Sequence, residues 1–203
     1  MLNMTAYEQL FNRVAEQFRW LKALPCDCYD PTTNYDVQRG CQKCLFGHVY
    51  FDQGIKRGLI GSQKRNVMNP ELGWVQVREA VVTTMPDEVL FGQFDKLVLV
   101  ERETLERSVM RRGDDTLPHE FIIEILMVVS GETVYQPGID YEVDLTAGTI
   151  NWLTAGPTQV YAIEYKHNPV YWFTGYDERP PRPAGNGLQT PPKGMLSLTP
   201  PQG

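Results

Sequence analysis

The residues with the clearest chemical potential in this sequence are its four cysteines, which lie in two close pairs. Cys26 and Cys28 form a CxC pair, and Cys41 and Cys44 form a CxxC pair after a segment rich in turn-forming residues. Two tight thiol pairs on either side of such a loop can surround a tetrahedral zinc ion with sulfur ligands. Glycines flank the second pair, so the backbone there can curl and direct its amides towards the sulfurs. We therefore expect these four cysteines to bind a structural zinc ion.

Other states of the same residues remain open. The cysteines could form disulfides or stay as reduced thiols, and the redox compartment, which the sequence does not fix, decides between metal and disulfide. His48 follows Cys44 closely and could replace one cysteine as a ligand. A thioredoxin-like role for Cys41 and Cys44 is disfavoured, because that motif belongs on a βαβ unit and strands are predicted after it here.

Residues for other kinds of catalysis are scarce. A hydrolase or transferase needs a nucleophile with a base, or paired carboxylates in a cleft. The chain has three histidines, His48, His119 and His167, and nothing in their sequence contexts predicts that they converge. Glycine-rich phosphate loops and the HExxH motif are absent, as is the HxE element of zinc deaminases. We therefore expect that the protein is not an enzyme.

Composition is that of a globular protein with one sizeable domain or two small ones. The chain has 203 residues, a formal net charge of −6 and a pI near 5.1. A protein whose main function is to hold phosphate backbones needs a basic face, so the acidic balance argues against that function. No apolar run approaches the roughly 18 residues of a membrane-spanning helix, and we expect no membrane association.

The N-terminal region has the pattern of an amphipathic helix. Thr5 and Glu8 match a capping box, and the apolar residues that follow recur at helical spacing. Pro25 would end such a helix. The sequence therefore predicts a helix over residues 5–24 that leads directly into the first cysteine pair, where a metal would fasten it to the rest of the protein.

From His48 onward the apolar residues follow the period of two that is typical of β-strands. Strands are predicted in these segments: His48–Asp52, Leu59–Val67, Trp74–Thr84, Lys96–Glu101, Phe121–Val129 and Gln159–Lys166. The clearest hairpin joins Tyr141–Asp144 to Thr149–Trp152 through a turn that contains Gly148. With about seven to nine strands and one helix, the pattern indicates a mostly β protein, an antiparallel β-sandwich or barrel.

The last residues differ in composition from the rest of the chain. Residues 177–203 are rich in proline and glycine and hold few large aliphatic side chains, which predicts an extended arm that builds no core. Four regions are therefore expected: an N-terminal amphipathic helix at 1–25, a cysteine-rich, zinc-knuckle-like element at 26–48, a β-sandwich or barrel domain at 49–176, and a Pro/Gly-rich arm at 177–203.

Several sequence segments of the β region resemble segments of neck proteins of long-tailed bacteriophages. The resemblance rests on these segments: Gly58–Gln63, Phe94–Val100, Pro137–Tyr141, Gly148–Trp152 and Tyr161–Tyr165. The last three segments have the sequences PGIDY, GTINW and YAIEY, which are similar to segments of virion proteins of the neck, tail and baseplate. The chain thus resembles head-completion or head-to-tail connector proteins of the stopper kind over residues 40–173.

The resemblance implies a non-enzymatic structural protein of the virion, assembled in the host cytoplasm. Such connectors are small β-barrels or sandwiches that form homo-oligomeric rings of about six or twelve copies around the DNA channel. The ring contacts the portal or adaptor protein on one side and the tail terminator or other tail proteins on the other. Genomic DNA passes through without specific binding, and an acidic subunit suits that channel because bound phosphates would retard the DNA. The arm would add interface by ordering on a neighbour.

Two alternatives remain open beside the neck. The cysteines could belong to a zinc-knuckle regulatory protein that binds nucleic acid or a partner, in which case salt-dependent DNA binding would be measurable. Because the resembling phrases also occur in baseplate and tail proteins, a structural role elsewhere in the tail is the second alternative.

Overall fold

The computed structural model describes residues 4–30, 35–36, 41, 43–44, 47–69, 73–85, 91–176 and 193–198. The described residues are mostly in antiparallel β-strands, with one short helix among them, which confirms the predicted fold class. The chain divides into two compact units, Met1–Leu99 with Val170–Gly203 and Val100–Pro169. The β region expected as one domain at residues 49–176 is therefore shared between two units. No helix in the described part of the chain combines the length and apolar character of a membrane span.

The N-terminal region begins as a helix and continues as a strand. Helix α1 spans Met4–Val14, and strand β1 spans Glu16–Pro25, so the prediction of a helix over residues 5–24 is wrong beyond Val14. Phe18 and Trp20 point into the core with the period of a strand, and burying them requires pairing with distant strands. The apolar residues of this region fit both periods, and tertiary pairing decides between them.

The first unit contains a closed sheet of six strands in the order β1-β4-β5-β14-β13-β6. The strands that join β1 are β4 (His48–Asn69), β5 (Gly73–Thr83), β6 (Lys96–Val98), β13 (Val170–Tyr176) and β14 (Lys193–Ser197). Every neighbouring pair is antiparallel, and the pairing of β1 with β6 closes the sheet into a barrel. The barrel interior is filled by Phe18, Trp20, Ala80, Val82, Phe91, Leu97, Leu99, Phe173 and Leu196.

Strand β14 corrects the prediction for the C-terminal region. The arm expected at 177–203 was to build no core, yet Leu196 is 1% exposed and lies in the barrel core. Gly194 in the same strand comes so close to Phe173 and Val82 that a Cβ there would lie 2.6 Å and 2.9 Å from their side chains. In this short strand one large inward residue, Leu196, and one small residue, Gly194, suffice for packing against the core. The prolines and glycines around them made this pattern hard to recognise in the sequence. The other residues of the expected arm lie outside the described residues, apart from Leu198.

The second unit is a four-stranded antiparallel sheet with a separate hairpin. The sheet has the order β7-β12-β8-β9, from Thr104–Arg111, Val160–His167, Ile122–Ser130 and Thr133–Tyr135. The hairpin pairs β10 (Tyr141–Asp144) with β11 (Thr149–Trp152), with Tyr141 opposite Trp152, so the predicted hairpin is confirmed. Their shared core consists of Met110, Leu117, Ile122, Val128, Tyr141, Ile150, Tyr161, Ile163 and Tyr165.

Candidate metal centre

The four cysteines come together in the structure as the sequence predicts. One sulfur atom from each of Cys26, Cys28, Cys41 and Cys44 lies within 4.8 Å of all the others, and the cysteines form no disulfide. Cys26 and Cys28 are buried, whereas Cys41 and Cys44 are half-buried. The cluster is therefore compatible with a metal site.

The barrel strands position this cluster at the two ends of one connection. Strand β1 ends at Pro25 opposite His48, the first residue of β4, so the chain leaves and re-enters the barrel at neighbouring points. The backbone N–H of Cys26 donates a hydrogen bond to the carbonyl of Gly47 at 2.8 Å and closes the base of the connection. Between the cysteine pairs, the short strands β2 (Tyr29–Asp30) and β3 (Tyr35–Asp36) pair with each other. Both cysteine pairs therefore lie beside the barrel end.

Backbone amides act on the sulfurs of the CxxC pair. A hydrogen bond from the backbone of Lys43 is the main cause that lowers the pKa of Cys41. Burial raises the pKa of Cys44, and a backbone hydrogen bond from Gly47 opposes that rise. Gly47 has a φ of 74°, a left-handed conformation that glycine adopts without steric cost. Amides directed at the sulfurs stabilise negative charge there, as a thiolate ligand requires.

Contacts between the sulfurs themselves disfavour deprotonation of some of the thiols. The sulfurs of Cys28 and Cys44 lie 3.3 Å apart, and this hydrogen bond is the main cause that raises the pKa of Cys28. Four thiols in one place cannot all become anions without a nearby cation to balance them. A divalent metal supplies that charge and deprotonates its thiol ligands outright.

The spacing of the sulfurs fits a tetrahedral ion better than a disulfide. A Zn–S bond of about 2.3 Å implies sulfur–sulfur distances of about 3.8 Å at the corners of a regular tetrahedron. The sulfurs lie within 4.8 Å of one another and those of Cys28 and Cys44 are 3.3 Å apart, so small shifts in either direction would bring them to this spacing. Four protein ligands would leave no open position for a substrate, which is the arrangement of structural rather than catalytic zinc sites.

His48 is not part of this group. Its side chain is 6% exposed, and its ring stacks on the ring of Phe94 with a centroid separation of 4.3 Å. Among the described residues, the metal-compatible set here contains the four cysteines without His48. The alternative in which His48 replaces a cysteine therefore has no support in the geometry.

The other two histidines converge, which nothing in their sequence contexts predicted. His119 and His167 stack at a centroid separation of 4.1 Å in the second unit, and Glu106 completes a second set of ligand atoms within 4.8 Å. Sequence reasoning missed this set because its members are far apart in the chain and are joined by the register of β7 and β12. The one local signal was the alternation that places Tyr165 and His167 on the same face of a strand.

Comparison with protein-family models and with curated proteins identifies no relative of this chain. No protein-family model matches the chain, and no curated protein matches it significantly. Function is therefore inferred from the chain's own residues.

Proposed function

We propose that Cys26, Cys28, Cys41 and Cys44 bind one structural zinc ion. The observation that supports this most directly is the convergence of four sulfurs within 4.8 Å of one another without a disulfide. The ion would fasten the connection between β1 and β4 to the end of the barrel. Its binding free energy would become folding free energy for the connection, because a preformed site rarely exists in an unfolded chain.

Replacing one ligand tests the zinc proposal. In Cys44→Ser the site loses a sulfur, and we expect the zinc content after dialysis to fall from about one ion at this site to well below one, with a lower melting temperature. Lys43→Ala is the matched control, because the exposed Lys43 side chain is removed while its backbone N–H is kept. Unchanged zinc content in Cys44→Ser, or disulfides between these cysteines in freshly purified protein, would contradict the proposal.

We further propose that the protein is a non-enzymatic structural component of a tailed-phage virion, a ring in the neck that connects head and tail. The support is the resemblance of its phrases together with where they lie. Pro137–Tyr141, Gly148–Trp152 and Tyr161–Tyr165 all fall within the unit Val100–Pro169. Tyr141, Ile150, Tyr161 and Tyr165 from these phrases are at most 3% exposed and share one core. These three segments therefore supply buried core residues of one compact unit, as a fold shared with neck proteins would require.

The neck proposal implies a homo-oligomer. Subunits would assemble into a ring of about six or twelve copies, with the portal or adaptor protein on one side and tail proteins on the other. Native mass spectrometry and electron microscopy of the purified chain test this directly, and closed rings would support it. A monomer at all concentrations, together with absence of the chain from purified phage particles, would contradict it.

The zinc-knuckle regulator remains the second candidate because the cysteine cluster suits it equally well. It differs in one measurable property. A regulator that binds nucleic acid should show DNA binding whose affinity falls steeply with salt, whereas a neck protein should show little binding at physiological salt. Fluorescence anisotropy with labelled single- and double-stranded DNA separates the two.

A further inference from the structure

The sheet of the second unit brings a carboxylate and two imidazoles together at one point. Glu106 on β7 lies directly opposite Tyr165 on β12, and His167 follows Tyr165 by two residues. Cross-strand partners and alternate residues share one face of a sheet, so these side chains lie on the same face. His119, from the segment that precedes β8, stacks on the ring of His167.

His167 presents a buried nitrogen without a hydrogen-bond partner. Its side chain is 6% exposed, and its Nδ1 lies 3.1 Å from the backbone carbonyl oxygen of Asn168. A carbonyl only accepts, so Nδ1 carries the proton and Nε2 keeps its lone pair. Nε2 is buried and has no partner in the structure. An unsatisfied buried nitrogen destabilises the fold, and a metal ion would satisfy it.

His119 is oriented in a similar way by a neighbouring side chain. Its Nδ1 lies 2.6 Å from the hydroxyl of Tyr165, a residue that is fully buried. When Nδ1–H donates to that hydroxyl, the lone pair of His119 is on Nε2. Metal-binding histidines characteristically use one ring nitrogen for the metal and hold the other in such a hydrogen bond.

We propose that Glu106, His119 and His167 form a second metal site, which takes a divalent first-row transition ion such as Zn²⁺ through two imidazole nitrogens and one carboxylate oxygen. One ligand atom from each residue already lies within 4.8 Å of the other two. Three protein ligands leave at least one position of the ion to water or to another group, unlike the four-cysteine site.

Metal binding at this site requires a small rearrangement of the imidazoles. The two rings are nearly parallel, with an interplanar angle of 19°, and stacked rings cannot both direct a lone pair at one ion. His167 is buried, whereas His119 and Glu106 are half-buried, so His119 has the greater freedom to turn. The stack therefore opens when the ion binds, and His119 moves more than His167.

The two proposed sites differ in ligand chemistry and can be measured separately. Thiolates favour soft and borderline ions, whereas imidazole and carboxylate accept a wider range of divalent ions. The chain should therefore hold one zinc ion at the cysteines and a second at Glu106, His119 and His167. Loss of the first through Cys44→Ser should leave the second in place, so failure of either proposal is visible independently.

Zinc stoichiometry of the full-length chain tests the second site. We expect Glu106→Gln and His119→Ala each to lose about one zinc ion per chain relative to the wild type, because each removes one of three ligands. Glu142→Gln is the matched control, since Glu142 is an exposed strand carboxylate of the same unit outside the cluster. Both test variants alter half-buried residues, and circular dichroism checks that each remains folded.

Imidazole ¹⁵N spectra supply a second measurement with an internal reference. The chain has three histidines, and the signals of His119 and His167 should shift at Nε2 on addition of Zn²⁺, while His48 should not. Loss of the shift in folded Glu106→Gln would support the proposal. Equal zinc content in the wild type and in both folded variants, or unshifted His119 and His167 signals at saturating Zn²⁺, would overturn it.

Discussion

Asp95 is a buried carboxylate of the unit that contains the barrel. It is 1% exposed and accepts three hydrogen bonds: from the indole of Trp20 at 2.8 Å, the backbone of Ala23 at 2.8 Å and the backbone of Gly92 at 2.9 Å. These bonds tie β1 to the segment that enters β6. Asp95 also lies in the segment Phe94–Val100, one of those on which the proposed resemblance to neck proteins rests, and its hydrogen bonds give it a structural role there.

The cost of changing Asp95 follows from the donors that it satisfies. Each buried donor left without an acceptor costs about 1–3 kcal/mol, so Asp95→Ala should cost about 3–9 kcal/mol and risks unfolding the protein. Asp95→Asn is the measurable variant. Trp20 and Gly92 bond to the same oxygen, so an asparagine that keeps this oxygen loses only the bond from Ala23. We expect it to lose about 1–3 kcal/mol.

Urea unfolding followed by circular dichroism measures this loss, and hydrogen exchange resolved by peptide locates it. Exchange should accelerate in β1, β6 and β13, the strands next to Asp95. Asp52→Asn is the control, because Asp52 has a side chain that is 53% exposed and should change stability by less than about 0.5 kcal/mol. If Asp95→Asn were as stable as this control, the assignment of Asp95 as a buried anchor of the barrel would be wrong.

Two further predictions concern each unit in turn. The Asp115 carboxyl has a lowered pKa: burial raises it, but hydrogen bonds from Trp152, Tyr161, Gly113 and Arg112 together outweigh burial. Its stabilisation is therefore present above the unfolded pKa of about 3.9 and is lost as pH falls through the folded pKa, and Asp115→Asn should flatten the acid limb of a stability–pH curve. Gly194→Ala should cost about 1–3 kcal/mol in urea unfolding, because its Cβ would overlap the side chains of Phe173 and Val82. Gly61→Ala, where a Cβ meets nothing within 4 Å, should be tolerated, and equal stability of the two variants would contradict the position of β14.

The parts of the fold that the sequence predicted are those encoded by local patterns. The β10–β11 hairpin was predicted because alternation and a glycine turn lie within a few residues of each other. Closure of the barrel could not be predicted in this way, since β1 pairs with β6 and β14 pairs with β5 across long stretches of chain. The dependence on distant strand partners also explains why β1 was predicted as helix. Phe18 fits a helical and a strand period equally until its partner strands are known.

The two clusters proposed as metal sites illustrate the same difference. The cysteine cluster was predicted because each half is a local motif and the two halves flank one connection. The cluster of Glu106, His119 and His167 depends on strand register, which places Glu106 opposite Tyr165, and on a loop that returns His119 to the same face. No short motif contains that information, so only the folded chain shows that these three residues converge.

X-ray absorption at the zinc edge tests the central claim most directly, since it reports the atoms that surround the ion. The best sample is the zinc-loaded Glu106→Gln protein, in which the cysteine cluster alone should hold zinc. We expect a first shell of four sulfur atoms at about 2.3 Å. A first shell of nitrogen or oxygen at about 2.0–2.1 Å, or protein that retains no zinc, would contradict the assignment of Cys26, Cys28, Cys41 and Cys44 as a structural metal centre.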